Sequence, residues 1–327
     1  MKIGILGAGT WGSALANAFV DKHEVTLWSR FDSEVDLLNK THTHKNLPGA
    51  VLSAKLKFTS SLEEAIKGKD IIIFAVPSIY VRETAKIVKP FISEKQIIVD
   101  VAKGLEEGSL MTLCEVIKDE IGSQYHVVAL SGPTHAEEVS IKLPTLIVAA
   151  TEENDIGKKV QKALSLPYMR IYVNNDIRGV ELAGALKNVI ALASGISSGL
   201  GYGDNAKAAI VTRGLAEITR LGVAFGGQER TFSGLAGIGD IVVTSTSPHS
   251  RNNKAGYLLG QGYSLDETLK EVGMVVEGIN CLKAAKELAD KLKIEMPIVN
   301  AVYSIIFEDV PPKDAVNALF ARNLKAE

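Results

Sequence analysis

Apolar residues arrive along this chain in two rhythms. Up to about residue 179, short runs of Ile, Val, Leu and Ala alternate with stretches in which apolar positions recur every three or four residues. The short runs predict buried parallel strands at 2–6, 24–28, 71–76, 96–101 and 127–130. The longer stretches predict helices from Ser13 onward and over 33–39, 81–88 and 110–121, and Ser61-Leu-Glu-Glu64 reads as a capping box opening another. Apolar runs at 145–150 and 169–173 predict two further strands at an edge of the sheet. Strand and helix in alternation predict a Rossmann-type, doubly wound parallel sheet.

The second rhythm is helical throughout: 181–194, 205–221, 252–259, 265–272, 278–292, 299–306 and 312–319. The α/β fold therefore divides into domains 1–179 and 180–327, the latter all-helical. Between Lys187 and Asp204 no charged residue occurs. A membrane span is one reading of such a run. Asn188, the serines and glycines near its middle and the glycines of 199–203 favour a buried helix of a globular protein instead.

Composition narrows the partners. The 327 residues carry a formal net charge of -2 and are 46% hydrophobic. No basic surplus points to nucleic acid, although a local basic pocket for a small anion is compatible with that total. Cys114 and Cys281 lie too far apart to suggest a disulfide framework, which favours a reducing, cytoplasmic setting. The first residues read as a strand and a turn, not as a signal peptide. Only His42 and His44, of six histidines, lie close together, and nothing around them has metal-ligand spacing, so no metal is expected.

Several segments carry candidate chemistry. Gly7-Ala-Gly9-Thr-Trp-Gly12 follows a strand and opens a helix, the context in which G-x-G-x-x-G binds a dinucleotide pyrophosphate. At the end of the second strand Arg30 stands where an acid would bind a ribose hydroxyl; it suits a 2′-phosphate, or is merely solvated, and Asp32 comes slightly late. NADPH is thus favoured over NADH. Lys103 and the loop Ser131-Gly132-Pro133-Thr134 follow later strands, at the carboxyl ends where open sheets bind ligands. Lys187 leads the uncharged run and is expected to lose much of its water, which disfavours the ammonium and suits proton exchange. Ser250 is a plausible N-cap, leaving Arg251 and Asn252 on a helix's first turn, where positive charge opposes the dipole unless an anion binds. Asp240 has two readings, a partner for an ammonium or substrate hydroxyl and a turn aspartate.

Together these motifs, with Glu181-Leu-Ala-Gly-Ala-Leu-Lys187-Asn188 and Gly237-Ile-Gly-Asp240, resemble the NAD(P)-dependent glycerol-3-phosphate dehydrogenases of the bacterial biosynthetic type. The resemblance spans most of the chain in order. It implies reversible reduction of dihydroxyacetone phosphate to sn-glycerol 3-phosphate for glycerophospholipid synthesis, in a cytosolic homodimer. It implies Lys187 as proton donor and acceptor, and a substrate site formed by Lys103, Gly132, Thr134, Asp240, Ser250, Arg251 and Asn252. Cofactor contacts are implied at Thr10, Trp11, Arg30, Phe31, Lys103, Ala136, Arg251, Val275 and Glu277, besides Gly7, Gly9 and Gly12. Two other readings stand beside it: a two-domain dehydrogenase of β-hydroxy acids, which would need a carboxylate site, and a nucleotide-sensing regulator without catalysis, which would not need Lys103 and Lys187.

Overall fold

The computed structural model describes residues 1–324. The chain forms two compact units, one of Met1–Lys103 and Met111–Glu181, the other of Gly104–Leu110 and the described residues from Leu182 on.

The first unit alternates β1 (Lys2–Leu6), α1 (Thr10–Phe19), β2 (Glu24–Trp28), α2 (Asp32–Thr41), β3 (Lys57–Thr59), α3 (Leu62–Ile66), β4 (Ile71–Phe74), α4 (Val81–Val88), β5 (Ile97–Asp100), α5 (Leu113–Ile121), β6 (His126–Ser131), α6 (Ala136–Ser140), β7 (Thr145–Ala150), α7 (Asn154–Leu164) and β8 (Met169–Asn174). The strands form one eight-stranded sheet in the order β3-β2-β1-β4-β5-β6-β7-β8. β4 and β5 are buried at every position, so their near-continuous apolar sequence reflects two covered faces.

The sheet is not parallel throughout. β7 runs antiparallel to β6, and β8 pairs parallel with β7. The link between β6 and β7 carries only the five-residue α6, which packs against α1. The predicted capping box is half formed. Ser61 accepts the Glu64 N–H at 3.3 Å, but the Glu64 carboxylate instead takes the Thr59 hydroxyl at 2.7 Å. A complete capping box occurs at Ser264 with Glu267, and at Thr112 the Glu115 carboxylate accepts the Thr112 N–H at 3.0 Å.

From residue 177 the described chain is helical: α8 (Ile177–Gly199), α9 (Asp204–Ala224), α10 (Glu229–Phe232), α11 (Asp240–Thr246), α12 (Arg251–Gly260), α13 (Leu265–Val272), α14 (Glu277–Leu292), α15 (Pro297–Phe307) and α16 (Pro312–Phe320). α8 is long and apolar enough to cross a membrane, yet its apolar window is wholly buried inside the protein. Its small residues have a packing role. A Cβ on Gly195 would sit 2.1 Å from the Asn253 carbonyl of α12, and one on Gly256 of α12 would sit 2.1 Å from the Leu192 carbonyl of α8. The two backbones touch, which only glycine permits.

Candidate active site

The glycine turn links β1 to α1 in the first unit. Gly7 has φ +114°, which side-chain-bearing residues rarely adopt, and a Cβ there would lie 2.6 Å from the Ala75 carbonyl. A Cβ on Gly12 would lie 1.9 Å from the Gly7 carbonyl, whereas one on Gly9 would meet nothing within 4 Å. Gly7 and Gly12 are thus required by the protein itself. Gly9 is bare on an open side, as close approach by a ligand demands. α1 starts at Thr10 without a side-chain cap or an acid in its first turn, so its N–H groups and dipole favour an anion. These residues fit the pyrophosphate of a dinucleotide.

Other cofactor candidates are disposed unevenly. Trp11 and Ala136 come together in a small apolar cluster with Ala14, Leu47 and Ala50. Arg30 lies past β2 with its guanidinium 3.1 Å from the Glu83 carboxylate, both side chains largely in solvent. Such a pair is weak and is readily exchanged for a phosphate. Phe31 is exposed at the start of α2, and Asp32 is that helix's first residue. Val275 and Glu277 flank the beginning of α14 in the other unit.

Lys103, Gly132 and Thr134 converge. The Lys103 ammonium donates to the Gly132 carbonyl at 2.9 Å and to the Thr134 hydroxyl at 3.3 Å. Gly132 reaches this position at φ +138°, the second place where the site requires glycine.

The second unit holds Lys187. Its Nζ donates to Asp240 Oδ1 and to Thr244 Oγ1, each at 2.6 Å, and the Thr244 hydroxyl lies 3.2 Å from the same carboxylate oxygen. All three are buried. Lys187 comes from the middle of α8; Asp240 and Thr244 share one face of α11, four residues apart. A kinked turn over Leu235–Gly239 delivers Asp240, and at Gly237 a Cβ would lie 1.9 Å from the Phe232 carbonyl. Asp240 therefore has the first of its two readings. It also changes the reason for Lys187: burial alone disfavours an ammonium, but a carboxylate at 2.6 Å retains it. Thr244 was not among the expected residues; the fold brings it to Lys187 from 57 residues away.

Ser250 is the N-cap of α12 and accepts the Asn253 N–H at 3.1 Å. Asn252 is bonded inward at both ends, to Asn188 Oδ1 at 2.9 Å and to the Gly278 N–H at 2.8 Å. Arg251 is the exposed member of the trio, its charge on the first turn of α12. A further buried group was not foreseen: Asp100, Cys114 and Glu181, each with a polar atom within 4.8 Å of the others. Glu181 accepts the Cys114 N–H at 2.8 Å, tying the second turn of α8 to α5, and burial raises its carboxyl to about 7.

Family comparison agrees along the length of the chain. The N-terminal family model of NAD-dependent glycerol-3-phosphate dehydrogenase matches residues 2–156 and the C-terminal one residues 176–317. A glycerol-3-phosphate dehydrogenase (NAD(P)+) 2 of Lactobacillus delbrueckii subsp. bulgaricus is 57% identical over 100% of this chain and 98% of its own. A glycerol-3-phosphate dehydrogenase (NAD(P)+) of Agathobacter rectalis is 48% identical over 100% and 97%. The crystal structure of glycerol-3-phosphate dehydrogenase from Coxiella burnetii superposes with a TM-score of 0.94 at 39% identity, covering 98% of this chain and 99% of that one.

Proposed function

The chain belongs to the NAD(P)-dependent glycerol-3-phosphate dehydrogenases, and from that premise we propose that Lys187 is the proton donor as dihydroxyacetone phosphate is reduced to sn-glycerol 3-phosphate. The observation that carries this assignment is the buried trio of Lys187, Asp240 and Thr244.

The bound nicotinamide supplies the hydride for carbon 2 of the substrate. Negative charge then develops on the carbonyl oxygen, and Lys187 stabilises it and gives up a proton there. Asp240 keeps the lysine charged beforehand, and two acceptors on one Nζ fix its direction. The neutral amine left behind regains a proton from solvent, and the reverse reaction uses it as a base. Lys103 adds positive potential from a position fixed by Gly132 and Thr134. Arg251 binds the substrate phosphate, where the start of α12 adds its own attraction for an anion. Ser250 and Asn252 shape that turn, as their inward bonds indicate.

The glycine turn with α1 takes the pyrophosphate. Arg30 supports a preference for NADPH, because its loose surface pair with Glu83 leaves it able to take a 2′-phosphate. The free, buried Cys114 and Cys281 support a reducing cytoplasm. Supply of glycerophospholipid synthesis and a homodimeric state follow from the family likeness. The decisive assay is cofactor oxidation with dihydroxyacetone phosphate, using NADH and NADPH in parallel. Turnover with this substrate and very little with unphosphorylated dihydroxyacetone is expected. Equal turnover of the two, or turnover only of β-keto acids, would overturn the phosphate assignment.

A further inference from the structure

The later turns of α8 join α9, α15 and α16 around a cavity of about 290 Å³. No residue assigned above to substrate or cofactor lines it. Its apolar walls include Ile196 of α8, Ile210 of α9, Ile298 and Val302 of α15 and Leu319 of α16. The cavity is long: on α9 its lining runs from Ala206 to Arg220, about 21 Å of helix. A dry apolar cavity of ~150 Å³ holds the six carbons of benzene. On that scale the present volume accommodates roughly ten to twelve carbons, and its length suits a chain better than a ring.

Polarity is graded along the cavity. On α9 the lining residues are Ala206, Ala209 and Ile210 toward one end, then Arg213, Glu217 and Arg220 toward the other. Arg322, beyond α16, joins the second group through Glu295. Arg220 donates to the Glu295 carbonyl at 3.0 Å, and Arg322 pairs with the Glu295 carboxylate at 2.8 Å. Both contacts are exposed, and exposed contacts of this kind contribute little and exchange readily. Among the described residues the one acid of the lining is already committed: both Glu217 carboxyl oxygens accept from the Ile298 and Val299 N–H groups, at 2.8 to 3.3 Å. Arginine is thus in excess at one end of an apolar chamber, the complement of an alkyl chain that ends in a carboxylate. We propose that the cavity binds a fatty acid of about ten to twelve carbons, its chain along α9 and its carboxylate on Arg220 and Arg322. The site lies within the helical unit and is independent of the dehydrogenase reading.

Calorimetric titration of the full-length protein with straight-chain carboxylates, each below its micelle concentration, tests the proposal. One site per chain is expected. Affinity should rise roughly tenfold for every two carbons from hexanoate to decanoate, as each methylene is buried. It should level off beyond dodecanoate, once the cavity is full. Decanol, which has the chain without the charge, should bind about tenfold more weakly than decanoate. Arg220→Gln combined with Arg322→Gln should erase that preference and leave decanol binding unchanged. Ala301→Phe, which places a ring in the cavity, should abolish binding of both. No saturable binding of decanoate, equal wild-type affinity for decanol, or binding undiminished in Ala301→Phe would each overturn the proposal. Tighter binding of decyl phosphate than of decanoate would overturn the carboxylate assignment. A lower oligomeric state of Ala301→Phe in sedimentation would give the cavity to an interface between copies, and the proposal would fail. If Ala301→Phe does not fold, the double arginine variant, changed only at exposed positions, decides.

Discussion

Lys187 and Asp240 form a pair that neither can leave without consequence. Lys187→Met should lower kcat by about 10²–10⁴-fold, the usual contribution of a positioned acid. It should also destabilise the protein by about 3–5 kcal/mol, because the buried Asp240 carboxylate loses the ammonium 2.6 Å away. Adding Asp240→Asn should recover much of the stability and none of the activity. Denaturant unfolding alongside steady-state kinetics separates the two effects, and an undiminished kcat would remove Lys187 from its role. Arg251→Ala should raise the KM for dihydroxyacetone phosphate and lower kcat, since phosphate binding also orients the carbonyl. Dihydroxyacetone, which lacks the phosphate, should lose little further activity; equal losses for both substrates would show that Arg251 does not read phosphate. Lys187 is legible in sequence because a charge among apolar residues is conspicuous. Thr244, 57 residues away, is not, because only the fold brings it there. Arg251 is legible through its N-cap, Ser250, whereas the inward turn of Asn252 depends on Asn188 and Gly278, which no local pattern reveals.

Among the elements, α15 depends on an acid from another helix. Glu217 of α9 accepts the Ile298 N–H at 2.8 Å and the Val299 N–H at 3.3 Å, covering the uncapped start of α15. Burial raises this carboxyl from 4.5 to about 7, outweighing the backbone bonds that favour its charge. A raised acid holds its proton in the folded state when the unfolded chain has released it, so stability should fall as pH rises from 4.5 to about 7. Glu217→Gln keeps an acceptor for the helix and should flatten that part of the pH–stability curve; an unchanged slope would assign it to other groups, Glu181 first among them. α8 and α12 pose a geometric question instead. Gly256→Ala places a methyl 2.1 Å from the Leu192 carbonyl, and forcing the helices apart should cost about 1–3 kcal/mol. A variant as stable as wild type in thermal melting would mean that the contact yields without cost. Helix positions were largely legible from apolar period, whereas the half-formed capping box at Ser61 was not, because Thr59 competes for Glu64.

At the scale of the whole molecule, the α/β rhythm and the change to helices near residue 179 were visible because burial imposes periods of two kinds on the sequence. The antiparallel joint between β6 and β7 was not, because an apolar run carries no mark of its direction. The glycines of α8 were read as evidence against a membrane span, and their contact with α12 is the physical reason that reading succeeds. That contact has a consequence during synthesis. Residues 188–203 emerge from the ribosome with no charge among them, well before Gly256 has been added. Until α12 arrives, the stretch is an uncovered apolar surface on the nascent chain, open to chaperones, to aggregation and to the targeting machinery that scans for membrane spans. A segment buried from 188 to 197 in the finished enzyme is therefore in need of custody while it is being made.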